Sequence, residues 1–551
     1  MLGEVVSYNS AYRAIRANDI SIQQLTAKSY ELIVPYLEAF MEQNPGSMVS
    51  CDKDPEGCIQ RVFICPGFMN SIYQYVRPVI SCDAAHLKSE RKGQIYIYSV
   101  LSAANEVYIL AFGIAMGNED FDNWLWMNEK LERAMPCIKT RKTDTAEIGT
   151  TRHNPGSFAE SDDEVEVTNE VTAGGANEDT IVETTFNDTV FISDRDKGLA
   201  KSLEETFPNN HSVKCGKHIQ ANVIQRFGQV AGKFVIQLAK AYSTKAEAYF
   251  LQMIQNASAP AFAFLNRIPR NHWRSTEWAV GEPRLPRRYG IVTSNTSESI
   301  NSMIADIRTC GWLGVIEKMV HGMVSRICKN RLKHKSKNAE GVVQMVRDVI
   351  KKRWNDSAAL EVDELVEDNG KFMVTELYQD GDEGGGINAN RNEDQLNNQE
   401  VAGNVDLRNQ TNLTVNSRTR TNVVVPDKET CSCGKWQDFR YPCRHGVAYY
   451  HKWLGKDLAW ILENKVHYYY KHAALHGLYQ PNVHPVITDG LRYDGRTKQP
   501  KVKVSTGRPK VKRIRRRSKF IEPGDSNVSC SNCKQKGHNC RTCPNARTMD
   551  A

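Results

Sequence analysis

The sequence predicts an α/β protein that is followed by small zinc-stabilised modules. Strand-like and helical segments alternate after residue 76, and cysteines and histidines recur near the C-terminus at the spacings of zinc ligands. A chain of 551 residues has room for about three or four structural units. Hydrophobic residues make up 40% of the chain, which is sufficient for buried cores.

The α/β part begins with three strand candidates in "VRPVISCDAAHLK", "GQIYIYSVLSA" and "VYILAFGIAMG". The next segment, "FDNWLWMNEKLERAM", repeats its apolar residues at helical spacing. After an acidic insertion, "DTVFISDRDKGLAKSLEETF" predicts one more strand and one more helix. Residues 219–290 are rich in helix formers and predict a helical insertion.

These patterns divide the chain into segments. We predict a helical region at 1–75 and the α/β unit at 76–310, with its acidic insertion at 140–188. An Asn-, Gly- and Asp-rich stretch at 368–425 lacks periodicity and predicts a disordered linker. The other predicted segments are a helical extension at 311–367, a zinc finger at 426–455, a basic tail at 486–525 and a zinc knuckle at 526–545.

Charge is segregated along the chain, although the net charge is only +8. Residues 160–188 carry ten acids, whereas residues 501–519 carry ten Lys or Arg and no acid. The acidic block is typical of a solvated insertion. The basic block is typical of a polyanion contact or a nuclear localisation signal, so we expect the protein in the nucleus.

No membrane segment is expected from the sequence. The first twenty residues contain no apolar stretch of the kind found in secretory signals. The longest apolar stretch, 96–117, has Asn105 and Glu106 at its centre, which favours two strands joined by a turn. The cysteines do not form the even framework of a small secreted protein, which indicates a reducing compartment.

Three acids stand at positions where a metal site could form. Asp83 ends the first strand candidate, Asp194 follows the fourth, and Glu298 precedes a helical pattern in "TSNTSESIN". Each has an ordinary alternative, because an Asp after a strand often caps a helix or turn, and Asn295 with Glu298 fits a capping box. Together, acids held on rigid elements suit a two-metal phosphoryl-transfer site.

Residues 76–310 resemble the catalytic domain of Mutator-like element (MULE) transposases. The resemblance rests on "CDAAHLKSERKGQIYIYSVLSAANEVYILAFGIAMGNEDFDNWLWMNEKL", "ISDRDKGL", "CGKH" and "TSNTSESIN", which follow one another in the family's order. It implies an RNase H-like catalytic core with a helical insertion, and a DDE triad of Asp83, Asp194 and Glu298 that binds Mg²⁺ or Mn²⁺. It also implies that Cys215 and His218, the family's Cys-x-x-His pair, support catalysis.

The resemblance has two departures and one open alternative. Ala84 and Ala85 stand where the family usually has Gly-Thr or Ala-Thr, and the acidic insertion lengthens the interval between the two Asp residues. For Cys215 and His218, a packing or hydrogen-bonding role around the following helix is an equally good explanation, since two ligands do not make a zinc site. A DNA contact is a further alternative for this pair.

The segment "CSCGKWQDFRYPCRH" has the pattern C-x-C-x9-C-x-H. Four soft ligands in two close pairs suit tetrahedral Zn²⁺. The intervening residues are predicted to form a small hairpin with Trp436 and Phe439 as its core. The pattern resembles the SWIM zinc finger, which commonly follows this transposase domain. The predicted ligands are Cys431, Cys433, Cys443 and His445.

A second zinc pattern, C-x2-C-x4-H-x4-C, occurs in "CSNCKQKGHNCRTC". It resembles a CCHC zinc knuckle, a module that binds single-stranded nucleic acid or protein. Cys540 is left over as a free thiol. The predicted ligands of this second structural zinc ion are Cys530, Cys533, His538 and Cys543.

The basic tail contains "STGRPKVKRIRRRSK". Its Gly507-Arg508-Pro509 resembles an AT-hook that inserts Arg into a narrow minor groove, although Thr506 stands where an Arg is usual. A nuclear localisation signal with nonspecific phosphate contacts is the alternative. The predicted DNA-binding residues are Arg508, Lys510, Lys512, Arg513, Arg515, Arg516 and Arg517.

The resemblance and the motifs predict a DNA transposase that cleaves and transfers strands at element ends. Its expected partners are the double-stranded DNA of the terminal repeats and further copies of itself in a homo-oligomer. The main alternative is a domesticated transposase that regulates transcription by binding DNA without cleavage. An RNA-processing nuclease would use the same core and knuckle, but the SWIM-like finger argues against it.

Overall fold

The computed structural model describes residues 27–89, 91–140, 187–194, 197–280, 286–293, 299–300, 302–335, 341–365, 370–379, 417–488, 490–501 and 533. The chain divides into two compact units, 1–501 and 502–551. The elements below all belong to the first unit.

A seven-stranded mixed sheet forms the centre of this unit. Its strands are β1 (Met48–Lys53), β2 (Ile59–Cys65), β3 (Val79–His86), β4 (Gln94–Leu101), β5 (Val107–Ala115), β6 (Asn187–Ser193) and β7 (Asn210–Lys214). Their order across the sheet is β1-β2-β5-β4-β3-β6-β7. The pairs from β1 to β3 are antiparallel, whereas β3, β6 and β7 run parallel. The three strands expected between residues 76 and 116 are β3, β4 and β5.

The N-terminal region differs from the helical region expected at 1–75. Within the described part, helix α1 (Ile33–Gln43) is followed by β1 and β2 and then by the short helix α2 (Met69–Ile72). Strand β2 pairs with β5, where Arg61 lies opposite Ala115, so this region extends the central sheet. The apolar residues of "VFIC" are all buried, as in a strand that is covered on both faces, which explains why this segment is a strand.

Helix α3 (Phe121–Ala134) packs on the sheet and against a second helix, α5 (Lys197–Thr206). Trp124 is fully buried with its ring 4.7 Å from that of Tyr96. Asn128 accepts a 2.6 Å hydrogen bond from Tyr98 and donates one of 3.0 Å to Ser202 on α5. These buried polar groups are therefore satisfied and fix the register of both helices. In the sequence, the short helix α4 (Cys137–Thr140) lies between α3 and α5.

The helical insertion has a hydrophobic core of its own. Its helices are α6 (Gly216–Phe227), α7 (Gln229–Gly232), α8 (Val235–Ala239), α9 (Thr244–Ala257), α10 (Ala259–Asn266) and α11 (Ser275–Val280). Residues such as Val223, Leu238 and Ile254 are fully buried in a cluster that is separate from the main core. Glu247 is also buried and forms an ion pair of 2.6 Å with Arg274. A 3-10 turn lies at Arg270–His272.

A second sheet is antiparallel and has the strand order β11-β10-β9-β8. Its strands are β8 (Leu360–Glu364), β9 (Phe372–Gln379), β10 (Ser417–Val425) and β11 (Thr430–Cys431). The linker predicted at 368–425 therefore contains strands at both ends, and Phe372 lies opposite Val424. β-Branched residues recur in "SRTRTNVVV", which explains the strand. Residues 380–416 of the predicted linker lie outside the described residues.

The remaining helices follow the helical insertion. They are α12 (Trp312–Lys335), α13 (Gln344–Asp356), α14 (Lys435–Phe439), α15 (Arg444–Ala448), α16 (Leu458–Asn464) and α17 (His472–Tyr479), with 3-10 turns at Tyr73–Tyr75, Ile307–Thr309, Ser357–Ala359 and Tyr468–Tyr470 and a π-helix at Tyr449–Trp453. The predicted extension at 311–367 contains α12 and α13 but ends in β8. None of the helices in the described part of the chain combines the length and apolar character needed to cross a membrane.

Candidate functional site

Two of the three predicted catalytic acids lie on neighbouring parallel strands. In the pairing of β3 with β6, Ser81 lies opposite Ile192. Two residues further along, the same register brings Asp83 beside Asp194, at a strand spacing of about 4.8 Å. Both side chains are partly exposed. Glu298, the third predicted acid, lies outside the described residues.

Cys215 and His218 lie at the end of the next strand. Ser193 of β6 is opposite Lys214 of β7, and the backbone N–H of Cys215 donates a 2.7 Å hydrogen bond to the carbonyl of Ser193. Cys215 is fully buried and precedes α6, whose first turn carries His218. Asp83 does not end its strand as expected, because β3 continues for three more residues to His86. Asp83, Asp194 and the Cys-His pair nevertheless lie together where the parallel strands β6 and β7 end, and these four residues form the strand-end cluster.

The electrostatics of His218 place it within this strand-end cluster. A hydrogen bond with Cys215, together with the charges of Asp194 and Asp83, raises the pKa of His218 to about 9 against the opposing effect of burial. The imidazole is therefore a cation at neutral pH. Its buried Nδ1 has no hydrogen-bond partner among the described residues. The cluster thus combines two carboxylates, which suit a hard divalent cation, with one positive charge that suits an anion.

The start of α6 is attached to the segment 286–293. The backbone N–H of Gly216 donates a 2.9 Å hydrogen bond to the carbonyl of Val292. A Cβ at position 216 would lie 3.1 Å from the same carbonyl, so a glycine permits this close approach. The position of His218 therefore depends on a segment that is distant in sequence.

The four predicted ligands of the zinc finger converge on one point. The ligand atoms of Cys431, Cys433, Cys443 and His445 all lie within 4.8 Å of one another. Nδ1 of His445 is 3.4 Å from Sγ of Cys431 and 3.8 Å from Sγ of Cys443. A tetrahedral zinc ion, with bonds of about 2.3 Å to sulfur and about 2.0 Å to nitrogen, sets these separations near 3.6 Å. The residues fit a structural zinc ion that is bound through Nδ1 of the histidine.

The buried thiol of Cys443 needs a bound cation in order to ionise. Burial raises the pKa of the Cys443 thiol to about 12, and Zn²⁺ at the sulfur would offset this by stabilising the thiolate. Backbone N–H groups also point at the sulfurs, from Gly446 to Cys443 at 3.4 Å and from Cys433 to Cys431 at 3.5 Å. On the other side of the histidine, Nδ2 of Asn422 lies 3.2 Å from Nε2 of His445.

The segment between the two ligand pairs forms a short helix, α14, so the predicted hairpin is wrong. Trp436 is buried as expected, and a Cβ at Gly446 would lie 2.7 Å from its ring. Phe439 faces outward from the finger and lies against Gly290. Gly434 starts this helix with a positive φ of 76°, a conformation that turns the chain after Cys433.

Asp438, on the same helix, is a residue that sequence reasoning missed. It is buried, and its carboxylate accepts hydrogen bonds from three consecutive backbone N–H groups, those of Arg288 (2.7 Å), Tyr289 (3.0 Å) and Gly290 (3.0 Å). The hydroxyl of Tyr242 donates a fourth. An Asp between two aromatic residues in a short polar segment gives no local signal for such a role.

The remaining predicted site residues belong to the second unit. Apart from Cys533, which is partly buried, the ligands of the zinc knuckle lie outside the described residues. The predicted DNA-binding residues from Arg508 to Arg517 also lie outside them.

Comparison with known proteins identifies the zinc finger. Residues 422–451 match the SWIM zinc finger family, and this range contains all four converging ligands as well as Asn422. A comparison with curated proteins found no significant match to the chain. Its geometry and its sequence match together show that the segment 422–451 is a SWIM zinc finger with a structural zinc site.

Proposed function

We propose that this protein is a metal-dependent DNA transposase of the Mutator-like class. The observation that carries the proposal is the register of β3 with β6, which when continued places Asp83 beside Asp194, with Cys215 and His218 after the next parallel strand. The order β5-β4-β3-β6-β7, in which only the last strands run parallel, supports an RNase H-like core. The SWIM finger, which commonly follows this transposase domain, also supports it.

In this proposal Asp83 and Asp194 hold Mg²⁺ or Mn²⁺, with Glu298 as a further ligand. The metal ions would activate the attacking oxygen and stabilise the leaving oxygen in phosphoryl transfer. The partly exposed carboxylates leave room for a phosphate at the sheet edge. His218, in the first turn of the helix that follows β7, would donate a ring N–H to this phosphate.

The charge of the helical insertion supports a nucleic-acid partner. Between residues 211 and 280 there are nine Lys or Arg and only two acids, Glu247 and Glu277. Both acids form ion pairs within the insertion, so they do not offset the outer cations. Such a surface attracts DNA phosphates through counterion release. The exposed cations are Lys217, Arg226, Lys233, Lys245, Arg267 and Arg270, of which Arg270 pairs with both acids.

The other parts of the proposal follow from the sequence. The basic tail directs the protein to the nucleus and binds DNA nonspecifically, and the knuckle binds a second zinc ion and single-stranded nucleic acid or protein. Transposition joins two element ends, so we propose that the protein acts as a homo-oligomer. The second candidate function is a DNA-binding regulator without cleavage, which the SWIM finger favours because it is itself a binding module.

Replacement of Asp194 by Asn tests the enzyme proposal. Asn keeps the size of the side chain but loses the charge that holds a divalent cation. We expect strand cleavage to fall by at least about a thousandfold, since several kcal/mol of charge stabilisation are lost, whereas DNA retention stays at the wild-type level. Cleavage and retention would be measured with Mn²⁺ and DNA that carries the repeats flanking the gene.

Asp427→Asn is the matched control, because Asp427 is exposed on the zinc finger. Metal-dependent cleavage by wild type and D427N, but not by D194N, supports the transposase. Equal retention by all three proteins without cleavage by any of them would favour the regulator.

A further inference from the structure

The loop 286–290 links the SWIM finger to the helical insertion through a buried charge. The carboxylate of Asp438 accepts three backbone N–H groups of this loop and the hydroxyl of Tyr242. Hydrogen bonds to an ionised acceptor are about twice as strong as those between neutral groups. Arg287 adds a 2.9 Å hydrogen bond from its Nε to the carbonyl of Gln437.

The loop is held on its other side as well. The guanidinium of Arg288 is buried and donates to Oγ of Ser275 at 2.7 Å and to the carbonyl of Trp273 at 3.2 Å. Gly290 has a positive φ of 72°, and a Cβ there would lie 2.3 Å from the ring of Phe439. The loop therefore has one conformation that fits both the finger and the insertion.

The contacts continue in both directions from this loop. Toward the zinc ligands, the side-chain amide of Gln437 exchanges hydrogen bonds of 3.2 Å and 3.0 Å with the backbone of Cys431. Toward the sheet edge, the N–H of Ile291 donates to the carbonyl of Arg288, and the carbonyl of Val292 accepts the N–H of Gly216. An unbroken path of hydrogen bonds and short chain segments thus joins a zinc ligand to the start of α6.

We propose that Asp438 is a positioning residue through which the zinc finger fixes the start of α6, and with it His218, at the strand-end cluster. The importance of His218 for cleavage rests on the proposed function, but the mechanical link does not. Zinc removal should loosen α14 and so weaken the same contacts. The finger then has a role in the assembly of the carboxylate site in addition to any binding role of its own.

Amide hydrogen exchange in the full-length protein tests the link. Asp438→Asn places an amide N–H₂ against at least one of the backbone donors, so those donors lose their acceptor. We expect exchange in peptides covering 287–293 and 213–220 to accelerate by about tenfold or more, which corresponds to a loss of about 1.4 kcal/mol in local stability. D427N should exchange like wild type.

Two further measurements separate positioning from general damage. Zinc content should stay unchanged in D438N, and the ring ¹H–¹³C signals of His218 should shift while those of the exposed His484 do not. If D438N does not fold, Tyr242→Phe removes only one of the four hydrogen bonds and should accelerate exchange in both peptides by a smaller factor. If the variant that folds shows the same exchange rates as wild type in the peptide 213–220, the proposal is wrong.

These results are independent of cleavage. If wild type does not cleave DNA, the enzyme proposal fails, yet the exchange rates still decide whether the finger positions α6. If wild type cleaves but D438N exchanges like wild type, the link fails and the transposase stands.

Discussion

The SWIM finger and the strand-end cluster are two small sites that are assembled over very different distances. All four zinc ligands lie between residues 431 and 445, whereas the strand-end cluster joins Asp83, Asp194, Cys215 and His218 from three strands and a helix. The first site needs only a short folded segment and an ion. The second exists only when the register of a seven-stranded sheet is correct.

The two sites therefore depend on different sources of stability. Residues of the segment 422–451 such as Trp436 and Val447 pack into the main hydrophobic core. The metal adds folding free energy by joining the two ligand pairs. The strand-end cluster instead rests on β3 and β6, whose inner residues, among them Ile80 and Ile192, are fully buried. Zinc removal and core mutations should consequently affect different parts of the molecule first.

The largest expected effect comes from replacing a zinc ligand. Cys443→Ser removes one of four thiolate or imidazole ligands, and zinc binding contributes about 10 kcal/mol or more to such modules. We expect the zinc content to fall by one ion per chain and the finger to unfold. Metal analysis of the purified protein together with limited proteolysis would measure both.

Cys215→Ser is the matched control, because Cys215 is equally buried but belongs to the strand-end cluster. It should leave the zinc content unchanged. If C215S also lost zinc, or C443S kept it, the claim that only the SWIM finger depends on this zinc ion would be wrong.

The contrast between the sites explains what the sequence could predict. The four ligands of the SWIM finger were predictable because ligand spacing within fifteen residues limits the possible geometries, and the converging atoms support them. Strands β3, β4 and β5 were predictable from apolar runs with turn residues between them. The neighbouring positions of Asp83 and Asp194 came from the family resemblance, since periodicity carries no information on which strands pair.

Other features were beyond sequence reasoning for physical reasons. Strands β1 and β2 join the sheet through pairing with β5, which is about fifty residues away in sequence. The role of Asp438 depends on three backbone N–H groups some 150 residues earlier, and any residue type presents a backbone N–H. The helix α14 replaced the predicted hairpin because Gly434 and Arg440, both in left-handed conformations, bound a single turn.

A smaller effect is expected from the residue behind the zinc-bound histidine. The side-chain amide of Asn422 lies 3.2 Å from Nε2 of His445. Zinc on Nδ1 leaves a proton on Nε2, so Asn422 orients the ring by turning its amide oxygen, the acceptor, toward Nε2. Partners of this kind typically contribute about 10- to 100-fold in metal affinity. We expect Asn422→Ala to weaken zinc binding by about tenfold in a competition titration with a chelator. Thr421→Ala, at the exposed neighbouring position, should bind zinc like wild type.

The smallest effect concerns a contact that joins the central sheet to the segment after the finger. Glu106, in the turn between β4 and β5, accepts hydrogen bonds from Lys333 at 2.7 Å and from Tyr479 of α17 at 2.8 Å. Nε2 of His334 lies 3.2 Å from the same carboxylate. Because Lys333 is largely exposed, its share of the stabilisation is screened by solvent.

This contact should make stability depend on pH in a defined direction. Burial raises the pKa of Glu106, but the hydrogen bonds from Lys333 and Tyr479 and the charge of His334 outweigh burial and hold it below the ordinary value of 4.5. A lowered folded-state pKa contributes stability that is present above pH 4.5 and is lost as the pH falls through the folded-state value. We expect Glu106→Gln to lower the free energy of unfolding by about 1 kcal/mol at neutral pH. Urea denaturation of both proteins should show this difference shrink as the pH falls below 4.5. The control Glu129→Gln, on the exposed face of α3, should match the stability of wild type at every pH. A difference between E106Q and wild type that persists unchanged in acid would show that Glu106 acts through packing and not through its charge.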